Sequence, residues 1–156
     1  MKHKVEIEEF TEGNRAICSS ILENLPEWFG IEEVNRAYIN ILGRIPTAVA
    51  YVDNQVVGFI ALEQSNAKSM EIHVMATDRS LHNQGIGTYL IDWATEQCDA
   101  MNVTWLHVKT RGPSTPDPFY EKTRAFYFAK GFDALFESLT LWGPNDAALI
   151  LVKKLR

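Results

Sequence analysis

EIHVMATDRSLHNQGIGTYLIDWA, residues 71–94, decides the fold. Its first part, with Met70, reads as a strand, MEIHVMAT. Its last part opens a helix. From Ile86 to Met101 the residues Ile86, Leu90, Ala94, Cys98 and Met101 share one helical face. A further strand, VTWLHVKT, follows. The order is strand, helix, strand, which is a crossover between parallel strands and right-handed by default. The connecting HNQGIG, His82–Gly87, lies at the carboxyl end of the first strand, where open α/β sheets tend to bind ligands. N–H groups at a helix start lack intrahelical partners, and the helix dipole makes that end positive. Glycines let the main chain turn there and let an anion approach it. The reading is a cradle for phosphate or pyrophosphate; the alternative is a tight turn whose glycines serve packing. A dinucleotide fingerprint fails because Leu90 stands where a third glycine belongs, and no Gly-Lys-Ser/Thr loop is present.

Outward from this centre the chain alternates elements. KVEIEEF reads as a half-buried first strand. A helix is expected from Glu12 to Leu25, with Ala16, Ile17, Ile21 and Leu22 on its apolar face and Pro26 stopping it. A second helix is expected from Ile31 to Leu42. TAVAYVDNQVVGFIALEQ reads as a hairpin turning at Asp53-Asn54. RGPSTPDP is a loop, Tyr120 to Lys130 a helix closed by Gly131, and ALFESLTLW and AALILVKKL the final strands. The expected fold class is α/β with a mixed sheet: about six to seven strands flanked by about four helices, as one domain over residues 1–156.

Composition narrows the function. A formal charge of −5 and the lack of a basic run argue against nucleic-acid partners. No apolar stretch approaches membrane-spanning length and the N-terminus has no apolar leader, so a cytoplasmic protein without membrane contact is expected. Cys18 and Cys98 are isolated and read as free thiols of a reducing compartment.

Two stretches carry a family resemblance. Residues 71–94 resemble motif A of the GNAT acetyltransferase superfamily, with its Gln/Arg-x-x-Gly-x-Gly/Ala signature. TRAFYFAKGFDAL, residues 123–135, resembles the same superfamily's motif B. LENLPEWFGIEE and LTLWGPNDAALILVKKL are similar to one bacterial branch of it. The resemblance implies the GNAT fold, acetyl-CoA or coenzyme A as co-substrate, and an N-acetyltransferase acting on a primary amine of a small molecule by direct attack in a ternary complex. It implies that the amides of His82, Asn83, Gln84, Gly85, Ile86, Gly87 and Thr88 hold the pyrophosphate. His82 stands where the family usually has Gln or Arg, and its imidazole can donate a hydrogen bond in their place. The edge formed by Met75, Ala76 and Thr77 is implied for the amide-rich pantetheine arm, with a main-chain amide polarising the thioester carbonyl.

Amine attack also needs a proton acceptor and a partner for the departing thiolate. Glu71 stands where some family members place a catalytic glutamate. His73, two residues on, projects from the same strand face. Either can be the base; either can instead be structural. A metal site from Glu71, His73 and His107 lacks ligand spacing, and no metal is expected. The resemblance assigns Tyr127 as the acid that protonates the departing thiolate, although its aromatic neighbours also suit a core position. Tyr120 replaces an asparagine that contacts the cofactor in many members. Trp28 and Phe29 can form an apolar or cation-binding wall for the acceptor, or pack under the first helices. The other functions considered are a coenzyme A-binding sensor without turnover and a protein lysine or N-terminal acetyltransferase. A homodimer is a further expectation, suggested by aromatics such as Trp142.

Overall fold

The computed structural model describes residues 4–156. Its strands are β1 (Glu6–Glu9), β2 (Thr47–Val52), β3 (Gln55–Asn66), β4 (Ser69–Thr77), β5 (Trp105–Arg111), β6 (Asp133–Ser138) and β7 (Ala148–Lys154). Its α-helices are α1 (Arg15–Glu23), α2 (Glu32–Ile41), α3 (Ile86–Ala100) and α4 (Pro118–Ala129). The hydrogen-bonded strand order is β1-β2-β3-β4-β5-β7-β6. β4 and β5 are parallel and α3 joins them, so the expected crossover forms. β1–β2, β2–β3, β5–β7 and β6–β7 are antiparallel, which makes the sheet mixed as read from the sequence. Two compact units are present. One runs to Glu63 and takes in Ile72–Gln97; the other comprises Gln64–Glu71 and Cys98–Arg156.

In the first unit α1 buries Cys18, Ile21 and Leu22, and α2 buries Ile39. With Leu25 and Leu42 they pack on Val49, Phe59, Val74 and Ala76 of the strands. The hairpin turns where expected: Asp53 and Asn54 have φ of 51° and 63°, the left-handed pair that suits the twist of the flanking strands. Two details differ from the sequence reading. Residues Glu12–Asn14 form a 3-10 turn before α1. The buried stripe then passes through Cys18, and Ala16 and Ile17 face solvent. Ala16 and Cys18 are two positions apart, so they cannot share a narrow helical face. α3 buries Ile86, Leu90, Ala94 and Cys98 as expected, but Met101 lies past the helix end and is exposed. Cys18 and Cys98 are free and buried, and burial pushes their thiols up to about 12 and about 11.

In the second unit β5 and β7 pair along their whole lengths, from Trp105↔Lys154 to Arg111↔Ala148. Asp117 caps α4 by accepting from the Phe119 N–H at 2.9 Å, and Pro118 occupies the first turn, where its missing N–H does no harm. The helix therefore begins two residues earlier than its apolar pattern suggests, and Arg111 belongs to β5 rather than to the proline-rich loop. β6 stops at Ser138 instead of running to Trp142. The Ser138 hydroxyl accepts from the N–H of Leu141 at 3.0 Å, a local turn that ends the strand.

Candidate active site

The loop between β4 and α3 has the form of an anion cradle. Asn83 (φ 65°) and Gly85 (φ 85°) are both left-handed, which turns successive N–H groups to one side. His82 N–H and Gln84 N–H meet the Arg79 and Leu81 carbonyls, each at 3.3 Å. Tyr89 N–H returns to the Gly85 carbonyl, so Ile86, Gly87 and Thr88 are the first three helical residues. Their N–H groups have no partner within the helix. The donors the geometry offers are therefore Asn83, Gly85, Ile86, Gly87 and Thr88, five of the seven positions expected from the sequence. Gly58 of β3 sets the height of this loop. A Cβ there would lie 3.0 Å from the Ala76 carbonyl oxygen and 3.2 Å from Ile86 Cγ2.

His82 does something other than the sequence suggests. Its Nε2 lies 3.0 Å from the Thr77 carbonyl oxygen, which can only accept, so Nε2 carries hydrogen. The side chain folds back because a single 3-10 turn, Arg79–Leu81, separates it from β4. Trp28 packs edge-on against the His82 ring at 5.6 Å. Arg79 lies over Trp28, donates to the Asn24 carbonyl and pairs with Glu27, whose carboxyl it holds below its usual range. Trp28 is thus brought to the cradle. Phe29 instead stacks edge-on against Tyr38 at 6.2 Å, and both residues border the core under α1 and α2.

Along β4 the side chains alternate. Met70, Ile72, Val74 and Ala76 are buried on one face; Glu71, His73, Met75 and Thr77 are half-buried on the other. Glu71 pairs with Lys109 Nζ and lies 3.9 Å from His107 Nδ1. Burial holds the His107 imidazole below its ordinary value; Glu71 opposes that shift and Lys109 adds to it. His107 Nε2 meets the Ser65 hydroxyl at 3.0 Å. His73 has a carboxylate of its own: Nδ1 lies 3.1 Å from Glu63 Oε2, with the Tyr38 ring edge-on at 5.4 Å. Sequence reasoning missed Glu63 and Lys109. The signal for Glu63 was the short β3–β4 connection at 67–68, which lays Glu63 and His73 at similar distances either side of a turn.

The parallel ladder between β4 and β5 is three pairs long, Ser69↔Trp105, Met70↔Leu106 and Glu71↔His107. Met75, Ala76 and Thr77 extend β4 beyond it. Tyr127 is buried between Phe126 and Phe132, each ring 5.2 Å away. Burial pushes its phenol above the ordinary value, so it stays protonated. Tyr120 sits in the first turn of α4, its ring beneath the Arg111 guanidinium at 5.1 Å. Arg111 also pairs with Asp117 and Asp146, which fixes the start of the helix.

A model of the acetyltransferase (GNAT) domain family matches residues 44–133, more than half of the chain. The chain belongs to the GNAT acetyltransferase family. Solved structures agree on the GNAT fold. A GNAT-family protein from Desulfovibrio desulfuricans superposes with a TM-score of 0.87 at 14% identity, covering 98% of this chain and 100% of that one. A GNAT family acetyltransferase from Elizabethkingia anophelis, with acetyl-CoA bound, gives 0.75 at 17% identity over 96% and 97%. An IAA acetyltransferase from Bacillus cereus gives 0.74 at 23% identity over 97% and 99%. No curated protein matches the chain by sequence. Among the described residues no helix is long and apolar enough to cross a membrane.

Proposed function

We propose that this GNAT chain is an acetyl-CoA-dependent N-acetyltransferase that acylates a primary amine of a small molecule within a ternary complex. The observation that carries the reading is the β4–α3 loop: left-handed Asn83 and Gly85 lead into a helix start whose N–H groups have no partner within the helix. Those donors, with the positive end of α3, suit a pyrophosphate. The edge formed by Met75, Ala76 and Thr77 offers main-chain groups to the amides of a pantetheine arm. The bound thioester would supply an activated acetyl group.

The protein's own part is to position, to polarise and to move protons. A main-chain amide of the β4 edge stabilises charge on the thioester oxygen. The face carrying Glu71 and His73 supplies the acceptor for the amine's proton. Tyr127 serves the departing sulfur as a hydrogen-bond donor. Its phenol lies above an ordinary value of 10.0, so handing a full proton to a thiolate of ordinary value about 8.5 is uphill by at least about 2 kcal/mol. Trp28, beside the cradle, and Phe29, against Tyr38, form the aromatic wall for the acceptor, and Tyr120 replaces the usual asparagine toward the cofactor. The test is thiol release from acetyl-CoA in the presence of polyamines, amino acids, aminoglycosides and lysine peptides. Release accelerated by one class of small amine is the expected outcome. Acceleration only by peptides moves the acceptor to proteins, and coenzyme binding without any release makes the chain a sensor.

A further inference from the structure

We infer that the segment from Leu135 to Trp142 is the contact through which two copies of this chain form a symmetric dimer. The inference goes beyond the acetyltransferase reading and does not depend on it. It gives the homodimer expected from Trp142 a surface and a centre.

β6 stands last in the sheet order and pairs with β7 on one side only. Its register slips at Leu135. Ala134 faces Leu151 and Phe136 faces Ile150, with Leu135 between them as an extra residue. The alternation of sides lapses there, and the neighbours Leu135 and Phe136 are 61% and 54% exposed. Leu139, Leu141 and Trp142 follow, all three exposed. They stay close to the strand end because the Ser138 hydroxyl accepts from the Thr140 N–H at 3.3 Å and from the Leu141 N–H at 3.0 Å. Sheet edges are ordinarily guarded by lysine, proline or inward-pointing charge. From Ala134 to Trp142 the chain has no lysine, arginine or proline, and its one charged residue is Glu137. That carboxylate accepts from the Ser114 N–H at 3.1 Å and from the Ser114 hydroxyl, which ties it to the loop between β5 and α4.

Area and charge favour a second copy as the occupant. Five large apolar residues, each about half exposed, present roughly 500 Å² of surface. A stable interface covers about 800 Å² per partner, and in homodimers about two-thirds of it is apolar. The segment therefore supplies the apolar part of one side of a dimer of ordinary size. Each copy carries a formal charge of −5, so two copies meet at least cost where the facing surface brings little charge. A partner chosen by charge complementarity would need charged groups here to read. A patch of uniformly apolar character is complementary to itself, as a two-fold contact requires. The bulge twists the edge, so the copies meet through packed side chains and not through a ladder continued from one β6 to the other.

The test is sedimentation of the full chain, without coenzyme or amine, from about 1 to about 100 µM. Twice the chain mass, with a dissociation constant in or below the micromolar range, is the expected result. Phe136→Asp and Leu135→Lys should each weaken the dimer by at least about 100-fold, because the two-fold axis puts the change on both partners. Both residues are exposed, so each variant should keep the circular dichroism spectrum of the folded chain. Ile31→Asp, a comparable change at the exposed residue that caps α2, should leave the mass unaltered. Hydrogen exchange adds a readout that needs no substitution: the amides of residues 134–142 should exchange faster once the chain is diluted below its dissociation constant. A chain that sediments as a monomer at about 100 µM overturns the inference, whatever else the segment binds. An assembly that both variants leave intact, or whose dilution leaves exchange at 134–142 unchanged, overturns it as well. Neither result touches the acetyltransferase reading, which thiol release tests separately.

Discussion

Gly85 has φ of 85°, and a Cβ placed on it would meet no atom within 4 Å. Within the protein itself, the need for glycine there is therefore conformational. Gly85→Ala should lower the unfolding free energy by about 1 kcal/mol in urea denaturation, the strain of an L residue in the left-handed region. An unchanged midpoint would show that the loop adopts another backbone. Gly85→Asn should lose less, since Asn83 already sits at φ 65° two residues earlier. At this scale the sequence is uneven. Gly85 and Gly87 stand out because two glycines before an apolar helical stripe are rare without a reason. His73 is visible as a histidine on the Glu71 face, but Glu63 is not visible as its partner, because that pairing comes from another strand. His82 is visible as a donor, yet which acceptor it meets depends on the 3-10 turn that brings it back to Thr77.

The β4–α3 element is held from below by Gly58. The Ala76 carbonyl and the Ile86 side chain come so near that a methyl group at Gly58 would touch both, at 3.0 and 3.2 Å. Gly58→Ala should destabilise by about 1–3 kcal/mol through overpacking and should weaken acetyl-CoA binding, as Ala76 and Ile86 are pushed apart from their places. Denaturation together with calorimetric titration checks this; wild-type stability and affinity would mean that β4 and α3 shift freely. Elements were legible where period and punctuation agreed. α3 and the Asp53-Asn54 hairpin follow directly from pattern and turn chemistry. The α1 face was less so. Ile17 is exposed and Cys18 buried, because the 3-10 turn at Glu12–Asn14 changes the phase at which the helix begins. The early start of α4 depends on a cap at Asp117 and a proline, signals that hydrophobic periodicity does not contain.

At the scale of the whole molecule the strand order places β7 between β5 and β6, so the last two strands are laid down out of chain order. Such an insertion is not encoded in any local period, which is why the crossover was legible from residues 71–94 and the far edge was not. Family membership follows from the same stretch, which lies inside the matched residues 44–133. Acceptor choice is of another kind. In the proposed reading it rests on Trp28 and Phe29, whose ring contacts, with His82 and with Tyr38, are made between different elements of the chain. The central claim is that the β4–α3 loop holds the pyrophosphate of coenzyme A. Amide chemical-shift mapping on addition of coenzyme A tests it most directly. The account predicts the largest shifts at Asn83, Gly85, Ile86, Gly87 and Thr88. Shifts that spare these amides, or none at saturating coenzyme A, would contradict it.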